Sequence, residues 1–132
     1  MAHQTFQLED YLERMLEIVQ EKGQVRAIEV AERLGVSKAS VSQMTKRLEK
    51  DGFIKREMYR GFTLTEKGKS TGKKIQKRHE ILTDFLTLMQ IPTSIQEKDI
   101  EGMEHSLSNS TLAALEKLIT YLQKKQYLTK NI

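Results

Sequence analysis

The stretch DIEGMEHSL, residues 99–107, sets Glu101, Glu104 and His105 at i, i+3 and i+4. On a helix these positions share one face, so two carboxylates and an imidazole point the same way. Such a group either faces water or holds a divalent cation. Asp10 and Glu13 repeat the i, i+3 carboxylate spacing near the start of the chain, on a side of their helix distinct from its apolar stripe. His79 stands in KRHEIL, where a basic surface gives way to an apolar one. Taken singly, each fragment reads as a solvated face or a boundary histidine satisfied by its neighbours. The chain has no cysteine, which excludes disulfides, thiolate zinc sites and cysteine redox switching. A metal here must be held by oxygen and imidazole.

Those residues need elements to position them. In residues 8–22, Leu8, Leu12, Met15, Leu16 and Val19 line one helical stripe, and Gly23 stops it. Residues 27–34 form a short second helix ended by Gly35. A third follows with Ser37 as its N-cap and Gly52 as terminator. FIKRE and GFTLT alternate around Tyr59-Arg60-Gly61 and predict a two-stranded hairpin. Thr65 opens a long basic helix that turns apolar and ends before Pro92. Ser94 to Glu97 has the form of a capping box, which predicts a helix from there through EGMEHSL. A last helix is expected over residues 111–123, aligning Leu112, Leu115, Leu118, Ile119 and Leu122.

Charge divides sharply along the 132 residues. Residues 37–78 hold 13 of the 22 Lys+Arg but only 4 of the 18 Asp+Glu, a balance of +9 against −5 for the remainder. Within that basic segment, residues 27–46 follow a helix-turn-helix pattern. Ala31 is small where the helices cross, and Gly35 sits in the turn, where positive φ is needed. Val36, Val41, Met44 and Leu48 are expected to fill the space beneath the second helix. Its other face offers Ser37, Lys38, Ser40, Ser42, Gln43, Lys46 and Arg47 to phosphates or base edges. The hairpin, with Tyr59 and Arg60 at its tip, makes the motif winged. The motif and the basic balance together point to double-stranded DNA.

EDYLERM, RLGVSKASVSQMTKRLEKDGFI, YRGFTLTEKGKSTGKKIQKRHEIL and EGMEHSLS, in that order, resemble the manganese transport regulators. These are short members of the diphtheria toxin repressor family. The resemblance runs over roughly residues 8–123. It implies a mainly α chain, with an N-terminal winged helix-turn-helix and small β-hairpin wing over 1–71 and a helical metal-binding and dimerisation domain over 72–132. It also implies a homodimeric repressor with divalent metal held between the two domains, on Asp10, Glu13, His79, Glu101, Glu104 and His105. Larger iron-responsive members carry a further C-terminal domain that this chain is expected to lack. They place methionine and cysteine where this chain has Asp10 and Glu104, which favours manganese. Some manganese regulators add a second histidine where this chain has Ser106.

Donor chemistry agrees with that implication. With neutral histidines the six side chains carry a formal charge of −4, which two divalent cations cancel. Oxygen and imidazole donors suit Mn²⁺ better than softer metals, although Zn²⁺ outranks it in raw affinity, so geometry must select. The expected function is a Mn²⁺-activated repressor of manganese uptake genes, with about two Mn²⁺ per subunit. The last two helices, with their leucine stripe, are expected to form most of the dimer interface. An iron-responsive repressor of the same fold is the alternative. A winged-helix regulator answering to an organic ligand leaves the donor set unexplained, and a two-metal hydrolase leaves the basic winged helix unexplained. No apolar run is long enough for a bilayer span and the N-terminus lacks a signal-peptide core, so a cytoplasmic protein without membrane attachment or small-molecule substrate is expected.

Overall fold

The computed structural model describes the backbone of residues 2–130 and the side chains of residues 8–126. The order of elements is α1 (Ala2–Lys22), α2 (Ala27–Leu34), α3 (Lys38–Lys50), β1 (Ile54–Glu57), β2 (Gly61–Leu64), α4 (Glu66–Leu88), α5 (Thr93–Met103) and α6 (Asn109–Lys130). The chain divides into two compact units, Met1–Ile75 and Gln76–Ile132. No helix among the described residues is long and apolar enough to cross a membrane.

In the first unit, the stripe of α1 buries Leu12, Met15, Leu16 and Ile18 against Val30 and Ala31 of α2 and Val41, Met44 and Leu48 of α3. Gly35 ends α2 with φ 67°, and its N–H donates to Ala31 O, which turns the chain sharply enough for α3 to start three residues later, at Lys38. Ser37 caps α3, its Oγ accepting from Ser40 N at 3.1 Å. Arg33 of α2 reaches Glu21 of α1 at 2.7 Å, and this bond holds the Glu21 carboxyl below its ordinary value. Val36 departs from expectation. It is 37% exposed, because it sits in the short link between Gly35 and the cap rather than beneath α3.

β1 and β2 pair antiparallel, with Ile54 opposite Leu64 and Glu57 opposite Gly61. Val25 adds a bridge to the hairpin, donating to Phe62 O at 2.9 Å and accepting from Phe62 N at 2.7 Å. A Cβ on Gly61 would stand 2.4 Å from Val25 O, and φ there is +87°, so both space and backbone require glycine. Thr65 caps α4 by accepting from Gly68 N at 3.1 Å, while its hydroxyl donates to Gly52 O at 2.6 Å.

The second unit packs Ile81, Leu82 and Leu86 of α4 with Ile100 of α5 and Leu112 and Ile119 of α6. Buried Gln96 donates to Ile91 O at 2.8 Å and so ties α5 to the link that precedes it. Several limits differ from those expected. α1 begins at Ala2 rather than Leu8, and α6 runs over Asn109–Lys130 rather than 111–123. α5 follows an N-cap at Pro92, with no side-chain cap, in place of a box at Ser94. It also stops at Met103, and the chain continues through a turn over 104–106. Leu118 and Tyr121 of α6 remain 44% and 56% exposed, so its apolar stripe is only partly used within the chain.

Candidate metal centre and nucleic-acid interface

Glu101 lies in the last turn of α5, and Glu104 and His105 follow the end of that helix rather than standing within it. The shared face survives because Glu104 keeps helical torsions, φ −63° and ψ −25°, and its N–H still donates to Ile100 O at 2.8 Å. Arg78 of α4 fixes the turn from outside, Nη1 donating to Glu104 O at 3.1 Å. Sequence reasoning missed that role; its only signal was a cation one residue before His79.

Glu104 is the centre of the second unit's donor group. Its Oε2 lies 3.2 Å from His79 Nδ1, and its Oε1 lies 3.4 Å from His105 Nε2. The side chains of Glu104 and His105 are each 1% exposed. His105 Nε2 is 3.8 Å from Glu101 Oε1, and Glu101, Glu104 and His105 each offer a donor within 4.8 Å of the others. Glu104 Oε1 is buried and makes no hydrogen bond. A buried carboxylate left so is costly unless positive charge stands beside it. The donors present are hard oxygen and imidazole, so the group fits a divalent ion of the first transition row. Ser106, in the place of the extra histidine, turns back and donates from its hydroxyl to Gly102 O at 3.1 Å.

In the first unit, Glu13 is 4% exposed despite lying off the apolar stripe, with Arg14 Nη1 at 3.4 Å from its Oε1. Asp10 is half-buried and borders a cleft of about 410 Å³ with Tyr11, Val36, Ser40, Gln43, Met44 and Arg47. Burial raises the Tyr11 hydroxyl above its ordinary pKa. Asp10 therefore opens onto the same cleft as residues on the outer face of α3.

That face is exposed at Lys38, Ser40, Ser42, Gln43, Lys46 and Arg47. Ser37, also exposed, uses its hydroxyl locally, accepting from Ser40 N and donating to Ser40 Oγ at 3.0 Å. Thr45 is buried, and its hydroxyl donates to the backbone O of Ser42 at 2.9 Å, while Ser42 is exposed. At the wing, Tyr59 is 94% exposed and Arg60 N donates to Glu57 O at 3.4 Å.

Comparison with known families decides what these two surfaces belong to. The iron dependent repressor N-terminal DNA binding domain matches residues 4–62, and the metal binding and dimerisation domain of the same repressors matches residues 65–130. The chain belongs to the iron dependent repressor family. It is 39% identical over 119 residues to the HTH-type transcriptional regulator MntR of Shouchella clausii (strain KSM-K16), covering 90% of this chain and 83% of that one. Identity to MntR of Bacillus subtilis (strain 168) is 36% over 125 residues, covering 95% of this chain and 88% of that one. Among solved structures, the manganese regulator SloR superposes with a TM-score of 0.76 at 26% identity, covering 86% of this chain and 54% of that chain. The metal-dependent transcriptional regulator MtsR does so with a TM-score of 0.80 at 27% identity, covering 86% of this chain and 54% of that chain. This repressor thus spans about half the length of those two solved chains. It is a metal-dependent, DNA-binding repressor of the manganese transport regulator type, with a dimerisation domain following its DNA-binding domain. The family consists of transcriptional regulators, so the hydrolase alternative falls away.

Proposed function

We propose that the repressor responds to Mn²⁺, binds about two ions per subunit and silences manganese uptake genes in the cytoplasm. The supporting observation is Glu104, a carboxylate 1% exposed that presents one oxygen to each of two imidazoles and leaves Oε1 without a hydrogen bond. Glu101, Glu104, His79 and His105 would supply four donors from the second unit. Asp10 and Glu13 of α1 would complete the set, an assignment that rests on the sequence resemblance. Bound Mn²⁺ would supply positive charge to four carboxylates that otherwise repel one another.

Three consequences belong to the chain itself. Arg78 and the Ile100 carbonyl hold the backbone of Glu104, which fixes where its carboxylate can reach. Asp10 shares a cleft with Gln43 and Arg47, so drawing its carboxylate to an ion alters the charge beside the DNA-reading face of α3. In a dimer, two such faces would enter successive major grooves about 34 Å apart. Metal favours that arrangement only by binding it more tightly than the alternatives.

Calorimetric titration with Mn²⁺, Fe²⁺ and Zn²⁺ tests the ligand set. The wild-type chain should take up about two Mn²⁺ per subunit, and Glu104→Ala should lose that uptake while keeping its helical content. Unchanged Mn²⁺ uptake in Glu104→Ala would remove the assignment.

A further inference from the structure

Met58 and Tyr59 form the tip of the wing and are 82% and 94% exposed. They place two large apolar side chains together in water, where hairpin tips usually carry polar or small residues. Tyr59 also holds φ at 65°, a left-handed value that glycine or asparagine adopts with less strain. The strands behind this tip are firmly tied. Glu57 pairs with Gly61, and Val25 exchanges both backbone hydrogen bonds with Phe62.

Three cations flank the tip, with the half-buried Glu57 among them. Lys55, Arg56 and Arg60 are exposed; the Arg56 guanidinium stands 5.1 Å above the Phe62 ring and its Nε lies 3.7 Å from Glu49 Oε2. The wing is also continuous with the DNA-reading helix. A single cleft of about 730 Å³ is bordered by Ser42 and Thr45 of α3 and by Arg56, Met58 and Tyr59 of the wing. An apolar point with a net excess of positive charge beside it and adjoining a recognition helix matches a nucleic-acid groove better than it matches another protein's apolar face.

We infer that Met58 and Tyr59 enter the minor groove of the operator as an apolar wedge, with Arg56 against the sugar-phosphate strand that passes through the cleft. This rests on the DNA-binding reading of α3 and extends it to a second groove. The minor groove is about 6 Å wide, too narrow for a helix but open to a hairpin tip. Its floor shows the same acceptors for A·T and T·A, whereas G·C adds an amino group. Apolar side chains inserted there partly unstack a base step. The wing therefore selects A·T-rich, deformable flanks without identifying individual bases, and Met58 is a specificity residue.

The test uses the full chain with saturating Mn²⁺ and an operator selected from a random-sequence duplex pool. Dimethyl sulfate methylates guanine N7 in the major groove and adenine N3 in the minor groove. Wild-type protein should protect guanine N7 within each half-site and adenine N3 in the flanks. Met58→Gln should lose the flanking adenine protection and keep the guanine protection, while Met58→Leu should retain both. Replacing the protected A·T pairs by I·C, which preserves the minor-groove pattern, should leave wild-type affinity within about twofold. Replacing them by G·C should weaken it about tenfold, and Met58→Gln should respond to neither change. Guanine protection without adenine protection in the wild type would overturn this inference and leave the DNA-binding reading standing. So would an undiminished G·C penalty in Met58→Gln. Absence of both protections would overturn the DNA-binding reading and this inference with it.

Discussion

Glu104 Oε2 lies 3.2 Å from His79 Nδ1, although 25 residues separate the two in sequence. With Glu104 1% exposed, its charge has little access to water and depends on what stands beside it. Imidazoles supply that charge only when protonated, and a divalent ion supplies it at neutral pH.

Glu104→Gln keeps the shape of the side chain and removes the charge. The unliganded variant should therefore melt at or above the wild-type temperature. Mn²⁺ at about 100 times its dissociation constant should stabilise the wild type by about 2.7 kcal/mol for each site it fills and the variant by little. Thermal melts with and without Mn²⁺ check this, and equal metal-induced shifts would tell against Glu104 as a ligand. His105→Ala should behave alike in calorimetry.

Asp10 is expected to set selectivity. Asp10→Met exchanges a hard anionic donor for a soft neutral one, so activation of DNA binding by Fe²⁺ should rise relative to Mn²⁺. Anaerobic binding measurements with each ion give the ratio. A ratio unchanged from wild type would mean that Asp10 does not discriminate between them.

Reading and gripping of DNA should separate by residue. Gln43, exposed in the middle of α3, is expected to reach base edges, whereas Lys46 and Arg60 are expected to hold phosphates. Gln43→Ala should cost about 1–3 kcal/mol on the operator and little on random DNA. Arg60→Ala should weaken both alike and reduce the salt slope by about one unit per contact, or two in a symmetric dimer. Binding to both duplexes over a range of salt distinguishes the patterns, and equal losses for Gln43→Ala would exclude base reading through that side chain.

Two glycines should respond oppositely to alanine. At Gly61 the added Cβ meets Val25 O at 2.4 Å on a backbone with φ +87°, and the loss should be about 1–3 kcal/mol. At Gly102, inside α5, nothing lies within 4 Å of the added Cβ, and the gain should be about 0.5–1 kcal/mol. Urea denaturation of both variants checks the signs. A neutral Gly61→Ala would mean that the Val25 bridge yields easily.

The helical pattern of the first unit was legible because its signals are local. The 3.6-residue stripe on α1, Gly35 in the turn, Ser37 as a cap and the alternation on either side of Tyr59 each act within a few residues. Val25 was not legible as a partner of Phe62, since one isolated bridge has no periodicity. Nor was Gln96, a buried amide whose bond to the Ile91 carbonyl offsets the cost of its burial and leaves no trace in an apolar pattern. The spacing of Glu101, Glu104 and His105 could be read directly, although the helix beneath it ends at Met103 and a turn carries the last two. What spacing did not convey was depth. Glu101 and Glu104 look alike in sequence, yet one side chain is 56% exposed and the other 1%, because only Glu104 turns toward His79. The start of α6 was placed two residues late although Ser108 caps it, its Oγ accepting from Thr111 N at 3.1 Å. The outer limits of α1 and α6 were missed because propensity changes slowly toward helix ends.

Metal control of DNA binding is best measured by titrating the wild-type chain onto operator DNA with chelator, Mn²⁺, Fe²⁺, Zn²⁺ or Mg²⁺, in parallel with Glu104→Ala. Operator affinity should rise about tenfold or more with Mn²⁺ over chelator, consistent with a coupling free energy of at least about 1.4 kcal/mol. Glu104→Ala should stay at the chelator level with every ion. Equal affinity of the wild type with Mn²⁺ and with chelator, or full Mn²⁺ activation of Glu104→Ala, would contradict metal gating through this site.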